Sequence, residues 1–332
     1  MSKAAQSEGA RQARPKSKLL RIRVSSLRLD TIVDFDLYMV SEPGADPVLY
    51  RNRHLAITRE ILERLEESRV KELFIDGSQE KEYRQYVETN LQGILADEAI
   101  PVSEKADILY SSAKGLVRDV LDDPKVPGGV RRCKNLVNSA SQFVLKNKTA
   151  FEHLLRVTSY DYYTYTHSVN VFIYSVVLAQ RVGCVEFPQM SQFGLGALLH
   201  DIGKSQIAPA ILRSRGALTE GQWRIMKQHP CDGQRILEER GGVSDIALDI
   251  VRHHHEKLDG SGYPDQLVDG SISPHSRVVA ICDIFDALTT RRCYRDAMNS
   301  FPSLRLMKEE FAGKIDAEFF RVFVEMMGKP GG

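Results

Sequence analysis

The sequence predicts a small α+β module followed by an all-α helical bundle. Short stretches of alternating apolar and polar residues, separated by turn-forming residues, are confined to positions 19–80. From about Glu80 onward, apolar residues recur at helical spacing instead. The chain of 332 residues is long enough for two such domains.

Composition limits the class of protein. Apolar content of 42% and charged content of 27% are ordinary for a soluble globular protein. The net charge of +1 gives no reason to expect nucleic acid, so we expect no DNA partner. No segment is apolar for long enough to span a membrane, and the N-terminus has no signal-peptide core, so we expect a cytoplasmic protein. The five scattered cysteines should then be reduced thiols.

The first 80 residues hold a tail and the α+β module. Residues 1–18 have almost no large apolar side chain, which predicts a disordered tail, either solvated or a basic arm that touches a partner. Strands are predicted around Leu20–Val24 and over 35–40, 48–50 and 72–76, with a hairpin through the turn-rich stretch 42–47 and a helix over 59–68 capped by Thr58. The module carries no cluster of metal ligands, so we expect a sensory, docking or dimerisation role for residues 19–80.

A helical linker is predicted over residues 81–150. Turn-forming residues at 122–129 separate a first helix from a second one over about 130–147. The apolar stripe of the first helix, which includes Leu109 and Leu116, indicates either core or a dimer interface. The N-terminal module and helices 103–147 are therefore the candidate surfaces for a homodimer or a signalling-protein partner.

Nearly all the candidate chemistry lies in residues 151–330, around the dipeptide His200-Asp201. This pair ends an apolar helical run, and Lys204 follows three residues later. An imidazole beside a carboxylate is a compact ligand pair for a divalent metal, and the two carboxylate oxygens can bridge two metals. A nearby ammonium suits a phosphate oxygen or a leaving alkoxide. On its own the dipeptide is a weak signal, so the case depends on the residues around it.

Histidines are concentrated in the same region, since seven of the nine lie between positions 167 and 275. His167 begins a long apolar helix that runs to about Val182, where a single histidine would more often be a core residue. His229 precedes a proline and could be a turn residue. Consecutive helical positions point about 100° apart, so the run 253–255 cannot be buried on one face. At least two of these three histidines are predicted to be ligands, or one is exposed.

Two further stretches complete the pattern. Thr219 and Gln222 form a capping-box pattern that starts a helix, which is predicted to end at His229-Pro230. Asp283 and Asp286 interrupt a strongly apolar helix, and a buried carboxylate needs a partner such as a metal or an arginine. The basic run 291–295 that follows is either a solvated helix end or a phosphate- and base-binding segment.

Together these residues predict a dinuclear metal site inside a helical bundle. Nitrogen and oxygen ligands without a thiolate pattern favour iron or manganese, with zinc or nickel as alternatives. Two metals ~3.5–4 Å apart can lower the pKa of a bridging water to about 7 and stabilise charge on a phosphoryl oxygen. The chemistry that suits such a site best is hydrolysis of a phosphoester.

The order of these motifs resembles that of the HD-GYP domain, a branch of the HD phosphohydrolase superfamily. The resemblance covers about residues 150–325, and the matches are closest at Leu199–Lys204 and at His254–Pro264, which contains the sequence DGSGYP. Residues 35–38 and 73–76 also make the N-terminal module similar to a small domain found ahead of some HD-GYP domains.

The resemblance implies a metal-dependent phosphodiesterase that hydrolyses cyclic di-GMP, a bacterial second messenger, to pGpG and in some members on to GMP. It implies that His167, His200, Asp201 and Asp283 hold one metal, and that Asp201 bridges to a second metal held by His229, His254 and His255. A metal-bridging hydroxide would be the nucleophile, and Lys204 would contact the scissile phosphate. The implied substrate-binding residues are Gly262, Tyr263, Pro264, Arg292 and Arg295.

Three positions depart from the family pattern. Tyr163 stands where members with a third metal have a glutamate, which predicts a two-metal site and, by analogy, pGpG as the main product. Cys293 replaces a usual proline, so the arginine loop should be less rigid. His253 lies outside the pattern and should be exposed or should support a ligand. The alternatives are an HD phosphohydrolase for another nucleotide and a non-catalytic module that responds to cyclic di-GMP.

Overall fold

The fold consists of two compact units. The computed structural model describes residues 15, 17–42, 45–158, 164–212, 214, 216–290 and 298–328. The units meet in sequence between Ile100 and Pro101, and every β-strand of the described residues belongs to the first unit. The predicted class, an α+β module followed by a helical domain, is confirmed. The predicted tail of residues 1–18 lies mostly outside the described part of the chain.

The first unit is built on an antiparallel four-stranded sheet in the order β1-β6-β3-β4, and a separate pair of strands joins β2 to β5. The predicted hairpin is confirmed, because Tyr38 pairs with Leu49 across β3 and β4. The two-residue strands β2 and β5 were not predicted. The strands are β1 (Leu19–Arg23), β2 (Ile32–Val33), β3 (Leu37–Met39), β4 (Val48–Arg51), β5 (Leu55–Ala56) and β6 (Glu72–Asp76).

Helices α1 (Arg59–Glu67) and α2 (Glu80–Ala96) complete the first unit. Its core contains Phe35, which is 0% exposed and meets the rings of Tyr83 and Tyr86 edge-on, at centroid distances of 5.4 and 5.5 Å. Such edge-to-face contacts add to the stabilisation that burial provides. Thr58 is the N-cap residue of α1 as predicted, but its side chain makes no capping hydrogen bond.

The second unit is helical throughout its described residues apart from loops and one isolated bridge. Helix α6 packs against α3, α7, α12 and α14, which makes it the centre of the bundle. The helices are α3 (Val102–Asp122), α4 (Gly129–Lys146), α5 (Ala150–Val157), α6 (Thr164–Val182), α7 (Met190–Leu199), α8 (Pro209–Leu212), α9 (Glu220–Met226), α10 (His229–Arg240), α11 (Asp245–His253), α12 (Pro274–Thr289), α13 (Ser300–Glu310) and α14 (Ala317–Gly328). None of the helices in the described ranges is long and apolar enough to cross a bilayer.

The segment predicted as a linker, 81–150, is divided between the two units. Helix α2 belongs to the first unit, whereas α3, α4 and α5 belong to the second, where α3 packs against α5 and α6. The apolar stripe of α3 is buried within this single chain, because Leu109 and Leu116 are almost fully covered. This stripe therefore forms core.

Close backbone contacts bring the ends of the helices together. A Cβ atom on Gly196 of α7 would lie 2.9 Å from the Cα atom of Ala247 in α11, so only glycine permits this packing distance. The contact packs α7 closely against α11, and beyond their C-terminal ends the rings of His200 and His254 lie 4.9 Å apart, centroid to centroid. His200 follows α7 directly, and His254 follows α11.

The helix before His229 ends earlier than predicted. The capping box is confirmed, since the Thr219 and Gln222 side chains each bond to the other's backbone. However, α9 ends at Met226, and His229 is the first residue of α10 rather than the last of the preceding helix. The prediction was wrong because Pro230 was taken as a terminator, whereas proline is well tolerated in the first turn of a helix.

Replacing Phe35 by Ala should lower the free energy of unfolding of the first unit by about 3–5 kcal/mol, because it removes a fully buried ring. The measurement is denaturant unfolding followed by circular dichroism. Ile32→Ala is the matched control, since Ile32 is 63% exposed in the same unit and its loss should cost no more than about 0.5 kcal/mol. Equal losses in the two variants would contradict the assigned core.

Candidate metal centre

Five segments of the helical unit converge on one buried cluster of histidines and aspartates. Helix α6 supplies His167, and the end of α7 supplies His200 and Asp201. The first residue of α10, the end of α11 and the middle of α12 supply the rest, which are His229, His254, His255 and Asp283. Apart from His255, which is partly exposed, these side chains are almost completely buried.

The potential ligand atoms form two groups. In each group, one atom from every residue lies within 4.8 Å of the others. The groups are Asp201, His229, His254 and His255, and His167, His200 and Asp283.

The two oxygens of Asp201 face different groups. Its Oδ2 lies 3.4 Å from His200 Nε2 and 3.6 Å from His167 Nε2. Its Oδ1 lies 3.3 Å from His229 Nε2 and 3.9 Å from His254 Nε2. A carboxylate between two sets of nitrogen donors has the geometry needed to bridge two cations.

The hydrogen bonds of three histidines fix which ring nitrogen points into the cluster. The Nδ1 atoms of His200, His229 and His254 lie 2.8, 2.8 and 3.0 Å from the backbone carbonyl oxygens three residues earlier. Because a carbonyl oxygen only accepts, each Nδ1 must carry the hydrogen and donate it. In the neutral ring, Nε2 therefore directs a lone pair into the cluster.

This donor set fits a metal and is unfavourable without a cation. The Nε2 atoms of His167 and His200 are 3.3 Å apart, as are those of His229 and His254. Lone pairs that face each other at this distance repel unless a cation or a proton lies between them. In addition, the buried Asp201 Oδ1 accepts no hydrogen bond. The described residues thus form His/Asp clusters that are able to hold metal ions.

The protonation states agree with ligation. Burial would raise the pKa of the Asp201 carboxyl, but the Lys204 ammonium, 2.6 Å from Oδ2, and the His200 ring hold that pKa well below its usual range. Burial also opposes ionisation of Asp283, yet the imidazole rings of His167 and His255 beside it keep its pKa well below normal. Desolvation lowers the pKa of His254 strongly and that of His255 to about 3. The carboxylates are therefore anionic and these two rings neutral at pH 7.

The partner of Asp286 is a histidine, rather than the metal or arginine suggested by the sequence as partner for a buried carboxylate. His167 Nδ1 lies 2.7 Å from Asp286 Oδ2, and Asn170 Nδ2 donates to Asp286 Oδ1 at 2.8 Å. The carboxylate orients His167 as the backbone carbonyls orient the other three rings. The only signal in the sequence was a second acid in an apolar helix, three residues after Asp283.

The loop that contains Gly262 lies against the metal-ligand segment. A Cβ atom on Gly262 would lie 2.5 Å from the Cα atom of Glu256, so a glycine is required there. The Tyr263 ring lies 4.7 Å from the His255 ring, centroid to centroid, and is followed by a cis peptide bond to Pro264. Burial, together with the charges of Asp283 and Asp201, raises the pKa of Tyr263, so the phenol keeps its proton.

His253 is turned away from the metal-ligand groups. Its ring nitrogens lie 2.7 Å from Asp249 Oδ1 and 3.0 Å from Asp265 Oδ2. Arg252 binds both oxygens of Asp265, at 2.6 and 2.8 Å, and Glu256 accepts from the Asp265 backbone N–H at 2.7 Å. These contacts fasten the chain just after Pro264 to the end of α11. Of the three consecutive histidines, only His254 and His255 join the cluster, as the directions of consecutive side chains require.

Four residues singled out in the sequence lie outside the described part of the chain. They are Tyr163, Arg292, Cys293 and Arg295.

Comparisons with known proteins agree with this fold. The HD domain family matches residues 133–319. Cyclic di-GMP phosphodiesterase PA4108 of Pseudomonas aeruginosa is 32% identical over 93% of this chain and 77% of its own length. A protein of Vibrio cholerae named 3'3'-cGAMP-specific phosphodiesterase 3 is 37% identical over 48% of this chain, and the aligned region is 34% of that relative. Among solved structures, the HDG"Y"P protein Bd1817 of Bdellovibrio bacteriovorus matches 94% of this chain and all of its own, with a TM-score of 0.65 and 22% identity.

The helical fold and the paired His/Asp groups define a metal-binding protein of the HD class. The chain belongs to the HD domain family, and its motif order places it in the HD-GYP branch.

Replacing Gly203 by Ala should displace His229 and reduce metal binding. A Cβ atom there would lie 1.9 Å from the His229 carbonyl oxygen and 2.6 Å from the backbone nitrogen of Gly233. Overpacking of this kind typically costs about 1–3 kcal/mol. Metal content per chain and the thermal midpoint are the measurements.

Gly221→Ala is the control, because a Cβ atom at Gly221 would meet nothing within 4 Å. We expect its metal content and thermal midpoint to match those of the unchanged protein. Full metal content in Gly203→Ala would contradict the close contact between the two ligand segments.

Proposed function

We propose that this protein is a metal-dependent phosphodiesterase that hydrolyses cyclic di-GMP to pGpG. The observation that carries the proposal is the Asp201 carboxylate, whose two oxygens face two separate groups of metal-ligand side chains. The names of the relatives support the substrate class, and the complete Gly262-Tyr263-Pro264 loop beside His255 supports a cyclic dinucleotide.

His167, His200 and Asp283 would hold one metal, and His229, His254 and His255 a second, with Asp201 shared between them. Imidazole and carboxylate donors favour iron or manganese over zinc or nickel, and neither group contains a cysteine. When bound, two such metals supply Lewis acidity, which makes water a nucleophile near neutral pH and stabilises charge on phosphoryl oxygens.

The chain's own residues would bind and orient the substrate. Lys204 Nζ already lies 2.6 Å from Asp201 Oδ2 and retains some solvent exposure, so it can donate to an oxygen of the scissile phosphate. Tyr263 keeps its proton and can act as a hydrogen-bond donor beside His255. Arg292 and Arg295 remain predicted contacts to phosphate or guanine.

Two other functions follow from specific observations. The Vibrio cholerae relative named for 3'3'-cGAMP makes that cyclic dinucleotide the alternative substrate. A non-catalytic module that binds cyclic di-GMP is the alternative class, although the full set of seven ligand side chains supports turnover.

A partner protein or a second copy would find exposed apolar side chains on the first unit, where Ile32, Val48 and Leu55 lie.

The direct test is a timed incubation of manganese- or iron-reconstituted protein with cyclic di-GMP, and separately with 3'3'-cGAMP, resolving pGpG and GMP. We expect cyclic di-GMP to be consumed faster, pGpG to accumulate, and about two metals to be bound per chain. Turnover of 3'3'-cGAMP alone would replace the substrate assignment. Binding of cyclic di-GMP without product by a fully metallated protein would establish the non-catalytic module.

The matched variant in the same assay is Asp201→Ala, which should lose hydrolysis and metal content together because the shared carboxylate is gone. Asp269→Asn is its control, since the Asp269 side chain is 79% exposed. Unchanged hydrolysis in Asp201→Ala would overturn the site assignment.

Replacing Asp265 by Asn should raise KM for cyclic di-GMP several-fold and leave metal content unchanged. The change weakens the contacts of Asp265 with Arg252 and His253, so the loop after Tyr263 is held less firmly. Glu309→Gln is the control, because it weakens another Arg–carboxylate pair, with Arg305 at 2.8 Å on the exposed surface of α13. A loss of metal in Asp265→Asn would show instead that these contacts support the ligand residues.

A further inference from the structure

We propose that Tyr110 of α3 is a positioning residue for the metal centre, acting through Asn170 and Asp286 on His167. The inference rests on the proposed role of His167 as a metal ligand. It concerns the orientation of that ring rather than the chemical step.

Three hydrogen bonds connect Tyr110 to His167. The Tyr110 hydroxyl donates to Asn170 Oδ1 at 2.8 Å, and Asn170 Nδ2 donates to Asp286 Oδ1 at 2.8 Å. Asp286 Oδ2 then lies 2.7 Å from His167 Nδ1. All four side chains are at most 2% exposed, so water cannot replace a missing partner easily.

The direction of each bond is fixed by the one before it. A tyrosine hydroxyl that donates to the amide oxygen of Asn170 turns the NH₂ group of that amide toward Asp286. A reversed amide would instead place its oxygen against the carboxylate, which is repulsive. Asp286 then accepts from His167 Nδ1, so the Nε2 lone pair of His167 faces Asp201 and Asp283.

The orientation of the His167 ring depends on distant residues more than the orientations of the His200, His229 and His254 rings do. His200, His229 and His254 donate to carbonyl oxygens only three residues earlier in the sequence, which the local backbone supplies. The acceptor for His167 is a side chain 119 residues away, which itself must be held. Among these four hydrogen-bonded residues, Tyr110 is the one that lies outside residues 133–319, the region that matches the HD domain family.

The test is Tyr110→Phe, which removes the hydroxyl and keeps the ring that Lys114 contacts at 4.8 Å. We expect the affinity of the weaker of the two Mn²⁺ sites to fall about 10-fold, as is typical when support for a ligand is lost. The measurement is a titration of metal-free protein with Mn²⁺ against a competing chelator. We also expect kcat for cyclic di-GMP to fall while KM stays unchanged.

Tyr174→Phe is the matched control, because Tyr174 is a buried tyrosine of α6 whose ring packs on Phe285 and Phe323. It should leave Mn²⁺ affinity unchanged even if the thermal midpoint falls. An equal loss of affinity in both variants would overturn the proposal, as would unchanged affinity in Tyr110→Phe.

A double-mutant cycle separates action through Asp286 from a general structural effect. Asp286→Asn should weaken Mn²⁺ binding at least as much as Tyr110→Phe does. Adding Tyr110→Phe to Asp286→Asn should then cause no further loss. Additive losses would show that Tyr110 acts by another route and would overturn the proposal.

The Mn²⁺ titration also distinguishes this inference from the proposed function. If the protein binds Mn²⁺ but does not hydrolyse cyclic di-GMP, the proposed function fails. The positioning role is then decided by the Mn²⁺ titration of Tyr110→Phe alone. If the unchanged protein hydrolyses cyclic di-GMP, Asp201→Ala does not, and Tyr110→Phe leaves Mn²⁺ affinity unchanged, the positioning role fails and the function stands.

Discussion

The buried carboxylate of Asp201 is the constraint on which the helical unit depends. An anion removed from water is costly unless charges or donors surround it. Here the Lys204 ammonium compensates part of the charge, and imidazole nitrogens on three other segments, α6, α10 and the end of α11, face the same carboxylate with donor atoms that are able to hold metal ions. Each of these segments must reach the Asp201 carboxylate. The segments therefore pack through close backbone contacts at Gly196 and Gly203 rather than through bulky side chains.

The histidine rings of the cluster are oriented in two ways. Four of the five ligand rings present Nε2 to the cluster, and each of these four does so by engaging Nδ1 elsewhere. Three rings use a backbone carbonyl of the preceding turn, so the local chain orients them. His167 uses Asp286, and through it Asn170 and Tyr110, so its orientation depends on contacts between α3, α6 and α12. The metal centre thus combines locally oriented ligands with one that only the assembled bundle can orient.

The loop with Tyr263 is held to the same scaffold by a separate set of contacts. Arg252, His253 and Glu256 all bind residue Asp265, and all three lie within two residues of the ligands His254 and His255 in sequence. One short segment therefore supplies ligands on one side and anchors the neighbouring loop on the other. This arrangement ties the position of the loop to that of the metal ligands.

The α+β and helical regions, the β3–β4 hairpin and the capping box at Thr219 could be predicted from the sequence, because each depends on residues close together in the chain. Together with the family resemblance, the sequence also named the seven candidate ligand side chains that the structure brings together, whereas the residue pattern alone left open which two of the three consecutive histidines take part. Contacts formed in the folded molecule determine the pairing of β2 with β5, the start of α10 at His229 and the partner of Asp286. These features depend on contacts between distant residues or on how a helix end packs, and neither leaves a periodic signal in the sequence.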